Sequence, residues 1–109
     1  MATTYKVLGQ SNPSATTATT LYTTPAATQT IVSTITVCNQ AATAATYRIA
    51  VRVAGAALAA SQYVAYDVSL PGNASDTLTL GITLGATDVV TVYASTATMS
   101  FAAFGSEIA

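Results

Sequence analysis

Polar and apolar residues alternate with period two through most of this chain, the repeat of a strand that sends successive side chains to opposite faces. From Thr28 to Asn39, Ile31, Ser33, Ile35 and Val37 share one face, and Thr30, Thr34 and Thr36 share the other. From Thr46 to Val53, Tyr47, Ile49, Val51 and Val53 oppose Thr46, Arg48, Ala50 and Arg52, so both arginines leave the face opposite the core. From Tyr63 to Leu70, Val64, Tyr66, Val68 and Leu70 oppose Tyr63, Ala65, Asp67 and Ser69. Pro71-Gly72-Asn73 then supplies turn chemistry: proline presets φ, and glycine or asparagine tolerates positive φ.

The alternation resumes from Thr77 to Leu84, where Gly81 predicts a bulge or the close approach of another backbone. Two more strands are expected, Val89 to Ser95 and Thr98 to Phe104, paired with each other across Ser95 to Ala97. The opening is less regular, with short strands around Tyr5 to Leu8 and Thr19 to Tyr22, the second closed by Pro25. Ala54 to Ser61 has helical composition but is short and uncapped, and reads as a connection with room for one helical turn. The alternation assigns Ile31, Ile35, Val37, Ile49, Val51, Val64, Tyr66, Leu78, Leu80, Val92 and Phe101 to the core. About eight short strands with frequent turns and no long helix define an all-β chain, expected as an antiparallel β-sandwich with jelly-roll or Greek-key-like connections. No linker interrupts it, so residues 1–109 read as a single domain.

Composition narrows what such a domain does. Hydrophobic residues make up 51% and charged residues only 6%, well below the usual quarter, and threonine, about a fifth of the chain, supplies the missing polarity. A surface of hydroxyl and methyl groups suits packing against neighbours better than free life as a monomer. A net charge of −1 offers no field for phosphates, so nucleic acid is not expected as a partner. No apolar run reaches the ~20 residues of a helical membrane span, and no charged segment followed by an apolar run marks a signal peptide. The expected site of synthesis is therefore a cytoplasm. Both chain ends are expected to be packed down.

Candidate chemistry is sparse. Without histidine there is no ordinary triad base, and the single Cys38, in an apolar alternating segment, is expected to be a buried, inert thiol that completes no metal site. No cofactor is expected. Asp76 and Asp88 read as turn residues that bond nearby backbone, and Asp67 as an ion-pair partner for Arg48 or Arg52 on a facing strand. Two arginines on one strand face read either as an anion site or as anchors to an adjoining subunit. Asn73-Ala74-Ser75 matches the glycosylation sequon, a weak pattern on its own. Tyr22, Tyr63, Tyr66 and Tyr93 suit either strand packing or stacking on sugars.

Several strings together carry a resemblance: Tyr5-Lys6-Val7-Leu8-Gly9-Gln10, Leu21-Tyr22-Thr23-Thr24-Pro25 with the Ile31 to Asn39 strand, and Thr46 through Arg52. Tyr63-Val64-Ala65-Tyr66-Asp67, Asp88 through Ala94 and Phe104-Gly105-Ser106-Glu107 complete the set. In this order the chain resembles small virion structural proteins of tailed bacteriophages, particularly cyanophage-like ones. The resemblance implies a non-enzymatic β-sandwich subunit present in many copies on a particle, decorating or cementing the capsid, or else placed at the neck, tail or baseplate. Its implied partners are copies of itself, with a trimer the first expectation, and the major capsid or another virion protein. Its implied location is the virion, assembled in the host cytoplasm. Arg48, Arg52 and Asp67 are the expected subunit-interface residues. A carbohydrate-binding β-sandwich module is the alternative of another class, expected to show an open aromatic-lined cleft.

Overall fold

The alternating segments become strands in a computed structural model that describes residues 2–109. Among the described residues there are nine: β1 (Thr3–Ser11), β2 (Thr19–Thr23), β3 (Gln29–Asn39), β4 (Ala45–Arg52), β5 (Tyr63–Leu70), β6 (Ser75–Leu78), β7 (Ile82–Leu84), β8 (Val89–Ala94) and β9 (Met99–Ile108). One antiparallel sheet runs β1-β9-β3-β6, with β7 also paired to β3, and the other runs β2-β8-β4-β5. The 54–61 connection carries two short 3-10 turns, Val53–Gly55 and Ala60–Gln62. The chain ends are tied together, since Ala2 and Ala109 exchange backbone hydrogen bonds at the end of the β1–β9 ladder.

The core lies between the sheets and is built around Val32, Ile35, Val37, Tyr47, Ile49, Leu70, Val90, Val92, Met99 and Phe101. Tyr47 packs edge-to-face on Phe101 with ring centroids 6.1 Å apart, and its hydroxyl donates to Asp76 at 2.8 Å. Asn39, wholly buried, fastens one end of the sandwich. Its amide donates to the carbonyls of Thr43, Leu70 and Pro71, and its oxygen accepts from the Ala41 N–H and the Thr98 hydroxyl. At the other end Tyr22 of β2 donates to Glu107 of β9 at 2.6 Å and lies 2.8 Å from the Thr30 hydroxyl of β3, joining the two sheets.

Of the expected core, Ile35, Val37, Ile49, Val92 and Phe101 are buried, and Val51 and Leu78 are partly buried against it. Ile31, Val64, Tyr66 and Leu80 are exposed, each for a reason visible in the ladders. β3 accommodates an extra residue, Ser33, against β9, so Val32 turns inward and Ile31 outward. Gly105 lies at this bulge, where a Cβ would strike the Ile31 carbonyl, a close approach that only glycine permits. β5 is offset twice against β4, which turns Val64 and Tyr66 to solvent while Val68 and Leu70 face in. The expected 77–84 strand is split into β6 and β7 by a bulge, because Ile35 pairs with Leu78 but Val32 pairs with Ile82. Gly81 supplies the positive φ of 63° there, with open space beside it rather than a close backbone, and Leu80 swings out.

Four other expectations are corrected. β9 pairs with β1 and β3, not with β8, because residues 95–98 cross from one sheet to the other instead of closing a hairpin. Cys38 is exposed, since it alternates with the inward Val37 and Asn39 and so falls on the outer face of β3. Val53 lies beyond the end of β4 and is exposed. Asp76 sits within β6 as the acceptor of Tyr47, whereas Asp88 does serve a turn, accepting from the Gly85 and Ala54 N–H groups at 2.9 Å each.

Candidate functional site

The outer face of the β2-β8-β4-β5 sheet gathers a polar and aromatic cluster around Arg48. The cause is local. Between the pairs Tyr47↔Val68 and Ile49↔Ala65, the single residue Arg48 is opposed by two residues of β5, Tyr66 and Asp67. Asp67 takes up the extra residue with a φ of 49°, a left-handed conformation that aspartate tolerates better than most side chains. On its other flank Arg48 pairs in register with Tyr93 of β8.

The guanidinium group therefore lies 4.3 Å from the ring centroid of Tyr66 and 4.3 Å from that of Tyr93. Its Nε donates to Asp67 Oδ1 at 2.6 Å and its Nη2 to Oδ2 at 3.3 Å, a two-point pair that matches the fork of one group to the other. The hydrogen bond donated to Asp67 first, with the Asp67 charge and both tyrosines adding, holds the Arg48 guanidinium above its ordinary pKa. Tyr63 meets Tyr66 edge-to-face at 4.9 Å, and beside them Leu58, Ala59 and Ala60 complete an open recess of about 550 Å³.

The structure thus joins two of the three expected interface residues. Arg52, two pleats along β4, is not part of the cluster. It donates to the carbonyls of Ala56 at 2.7 Å and Gly55 at 2.9 Å, pinning the turn in which Ala54 and Gly55 both have positive φ. Tyr93 was readable as a neighbour of Arg48 only with the strand order known, and Tyr66 was hidden because unbroken alternation puts it inside.

The remaining charges are engaged in the same way. Lys6 pairs with Glu107 at 3.3 Å, and Glu107 also accepts from Tyr22. The Tyr22 hydrogen bond first, with Lys6 adding, holds the Glu107 carboxyl below its ordinary pKa. Burial first, then the hydrogen bond to Glu107, pushes the Tyr22 hydroxyl up to about 12. With Asp76 on Tyr47 and Asp88 on two backbone amides, all seven charged side chains have a partner within their own chain. Among the described residues, no three of the Cys, Asp and Glu side chains come together as a metal-binding group would require.

Large apolar side chains, in contrast, are left outside. Tyr5, Val7 and Ile31 lie on the outer face of the β1-β9-β3 sheet beside the half-buried Phe104, and Val64, Tyr66 and Leu58 are exposed around β5. No protein-family model, curated protein or solved structure matches this chain.

Proposed function

We propose that this chain is a non-enzymatic structural subunit of a tailed-phage virion, most simply a capsid decoration or cement protein that works through contacts with copies of itself and with the shell. One observation supports this reading above the others: the charges are consumed within the chain while apolar and hydroxyl surface faces outward. Such a surface costs little to desolvate, because the lysine and glutamate heads that oppose burial are few and already paired. The phage assignment itself comes from the resemblance in the sequence, and a place at the neck, tail or baseplate would use the same surface chemistry. In this reading Arg48, Asp67 and Arg52 lie in the contact surface, the first two as a rigid platform with Tyr66 and Tyr93.

A density map of the whole particle with this chain located in it tests the proposal directly. Absence of the chain from purified particles would overturn it. Replacing Arg48 and Arg52 together by Gln and measuring incorporation tests the interface residues separately: unchanged incorporation removes them from the contact. The recess beside Tyr63 and Tyr66 favours a second reading, a carbohydrate-binding module, because exposed aromatic rings stack on sugar faces. Titration with a panel of oligosaccharides, monitored by Tyr66 ring resonances, separates the two.

A further inference from the structure

An edge strand carries a row of unpaired N–H and C=O groups, so the edges of a sandwich decide what it can pair with. Among the described residues three of the four edges are blunted. β2 has five residues and is followed by Pro25. β5 carries its double offset and Asp67, and β6 is broken from β7 at Gly81. β1 is different. It is nine residues long, contains no proline, and carries one charge, Lys6, already neutralised by Glu107. Its first half, Thr3 to Val7, is exposed at every position, with Tyr5 84% accessible.

The ladder identifies which backbone groups are free. Ala2 and Ala109 exchange both N–H···O bonds, at 2.7 and 2.9 Å, and are therefore a hydrogen-bonded pair. Such pairs alternate with non-bonded ones along an antiparallel ladder, and the register from Thr3↔Ile108 to Val7↔Phe104 is unbroken. Thr4 and Lys6 accordingly direct their backbone groups to β9. Thr3, Tyr5 and Val7 direct theirs outward.

We propose that this half of β1 is a self-association edge, on which a second copy's β1 pairs antiparallel about a two-fold axis at Tyr5. The inference rests on the reading of the chain as a self-assembling subunit and gives that assembly a defined contact. With the axis at Tyr5, each Tyr5 faces its counterpart and Thr3 faces the partner's Val7, so every outward N–H and C=O of these residues meets its complement. The same register sets Lys6 opposite the partner's Thr4, and no like charges meet. It also joins the exposed Tyr5, Val7 and Ile31 and the half-buried Phe104 of the two copies into one apolar strip.

Sedimentation of the intact protein should show a concentration-dependent dimer or a larger assembly built from it. Val7→Pro removes one outward N–H without touching the β9 ladder. It should weaken association by about tenfold or more while leaving the circular dichroism unchanged. A crosslink gives an independent reading, since facing residues of a hydrogen-bonded pair have Cα atoms about 5.5 Å apart, within disulfide reach. In a Cys38→Ser background, Tyr5→Cys should form an intermolecular disulfide on mild oxidation, and the comparably exposed Val53→Cys should not. A monomer at all accessible concentrations, undiminished association of Val7→Pro, or equal crosslinking of the two cysteine variants would each overturn the proposal. Particle incorporation keeps the two readings apart: a monomeric protein that still incorporates defeats β1 pairing alone, whereas a β1-paired dimer absent from particles defeats the virion reading alone.

Discussion

β8 and β5 are written in almost the same alternation and end in opposite surroundings. In β8, Val90, Val92 and Ala94 are wholly buried, and even the outward Val89 and Thr91 are covered by neighbours. In β5, Val64 and Tyr66 stand 47% and 57% exposed, and only Leu70 is fully buried. The difference is position. β8 has β2 on one side and β4 on the other, so its register is fixed by two ladders, and a slip would carry three apolar side chains out of the core. β5 is an edge with one ladder, and it takes in extra residues that exchange its faces partway along. Alternation reports that a segment is a strand; in this sheet the second neighbour keeps the alternation of β8 intact, whereas in the other sheet β3 breaks its alternation at Ser33 despite two neighbours.

The largest effect that would break this comparison is in the cores of the two segments. Ile49→Ala, on central β4 beside β8, should cost about 2 to 5 kcal/mol in urea unfolding, because it empties a site closed on all sides. Val64→Ala on β5 should change stability by less than about 0.5 kcal/mol, as should Leu80→Ala at the β6–β7 break. Equal losses at Ile49 and Val64 would mean that β5 keeps an unbroken register.

A second, somewhat smaller effect concerns the polar fastening of the central strands. Asn39→Ala on β3 leaves three carbonyls, an amide and a hydroxyl without their partner at the buried end of the sandwich. The expected loss is about 1 to 3 kcal/mol, with faster hydrogen exchange at the Ala41 and Asn73 amides, whose loops converge there. The solvent-facing Asn73→Ala, in the turn after β5, should cost less than Asn39→Ala despite its positive φ. Reversal of that order would show that the turn, not the buried amide, sets the stability of this end.

Alkali gives a third test, because Tyr22 ties β2 to the opposite sheet through a hydroxyl that titrates, while β5 is tied there through the Asn39 amide, which does not. The unfolded tyrosine loses its proton near pH 10, and the native Tyr22 holds its proton up to about pH 12. Above pH 10 the unfolded chain therefore binds fewer protons than the native one, and stability must fall as pH rises. The contribution is fully present below pH 10 and disappears between pH 10 and about 12, an effect on the order of 2 kcal/mol. Tyr22→Phe should flatten that slope only in part, since burial and the Asp76 hydrogen bond also raise the Tyr47 hydroxyl. On the acid side the lowered Glu107 carboxyl gives stability that is present above its ordinary pKa and is lost as pH falls through its native value. An unchanged alkaline slope in Tyr22→Phe would remove the phenol from the account.

How much of this was legible in the sequence follows from the same distinction. The inward Tyr47 and Ile49 of β4, the Pro71-Gly72-Asn73 turn, the buried Val92 of β8 and the pairing of Asp67 with an arginine on the facing strand could all be read from local order. The bulge at Ser33, the double offset of β5 and the passage of β9 into the other sheet could not, because tertiary packing selects them and the local residues permit more than one register. Gly81 was the exception, since a glycine inside an alternating run marks where a strand is free to turn. The site suffered accordingly: Arg48 and Asp67 were found, but Tyr66 was assigned to the core because its outward turn depends on a bulge at the residue beside it.

That bulge can be tested at Asp67 itself, where the expected effects are the smallest and the most diagnostic. The residue does two things at once: it takes a left-handed backbone that sets Tyr66 and itself against one arginine, and it pairs with that arginine. Asp67→Asn keeps a side chain that tolerates positive φ and removes the charge. The pair is exposed, so the expected loss is below about 1 kcal/mol, and it should shrink in molar salt. Asp67→Ala removes the charge and also places a side chain less suited to positive φ there, and should cost about 1 kcal/mol more than Asn. This further increment is conformational, and salt should leave it intact. Asp67→Gly pays no steric penalty at positive φ and should lie closer to Asn than to Ala, although the freer unfolded chain offsets part of the gain. If Ala and Asn lose the same amount, or if salt removes the whole Ala effect, residue 67 is not held in the left-handed region, and β5 differs from β8 only by its charge.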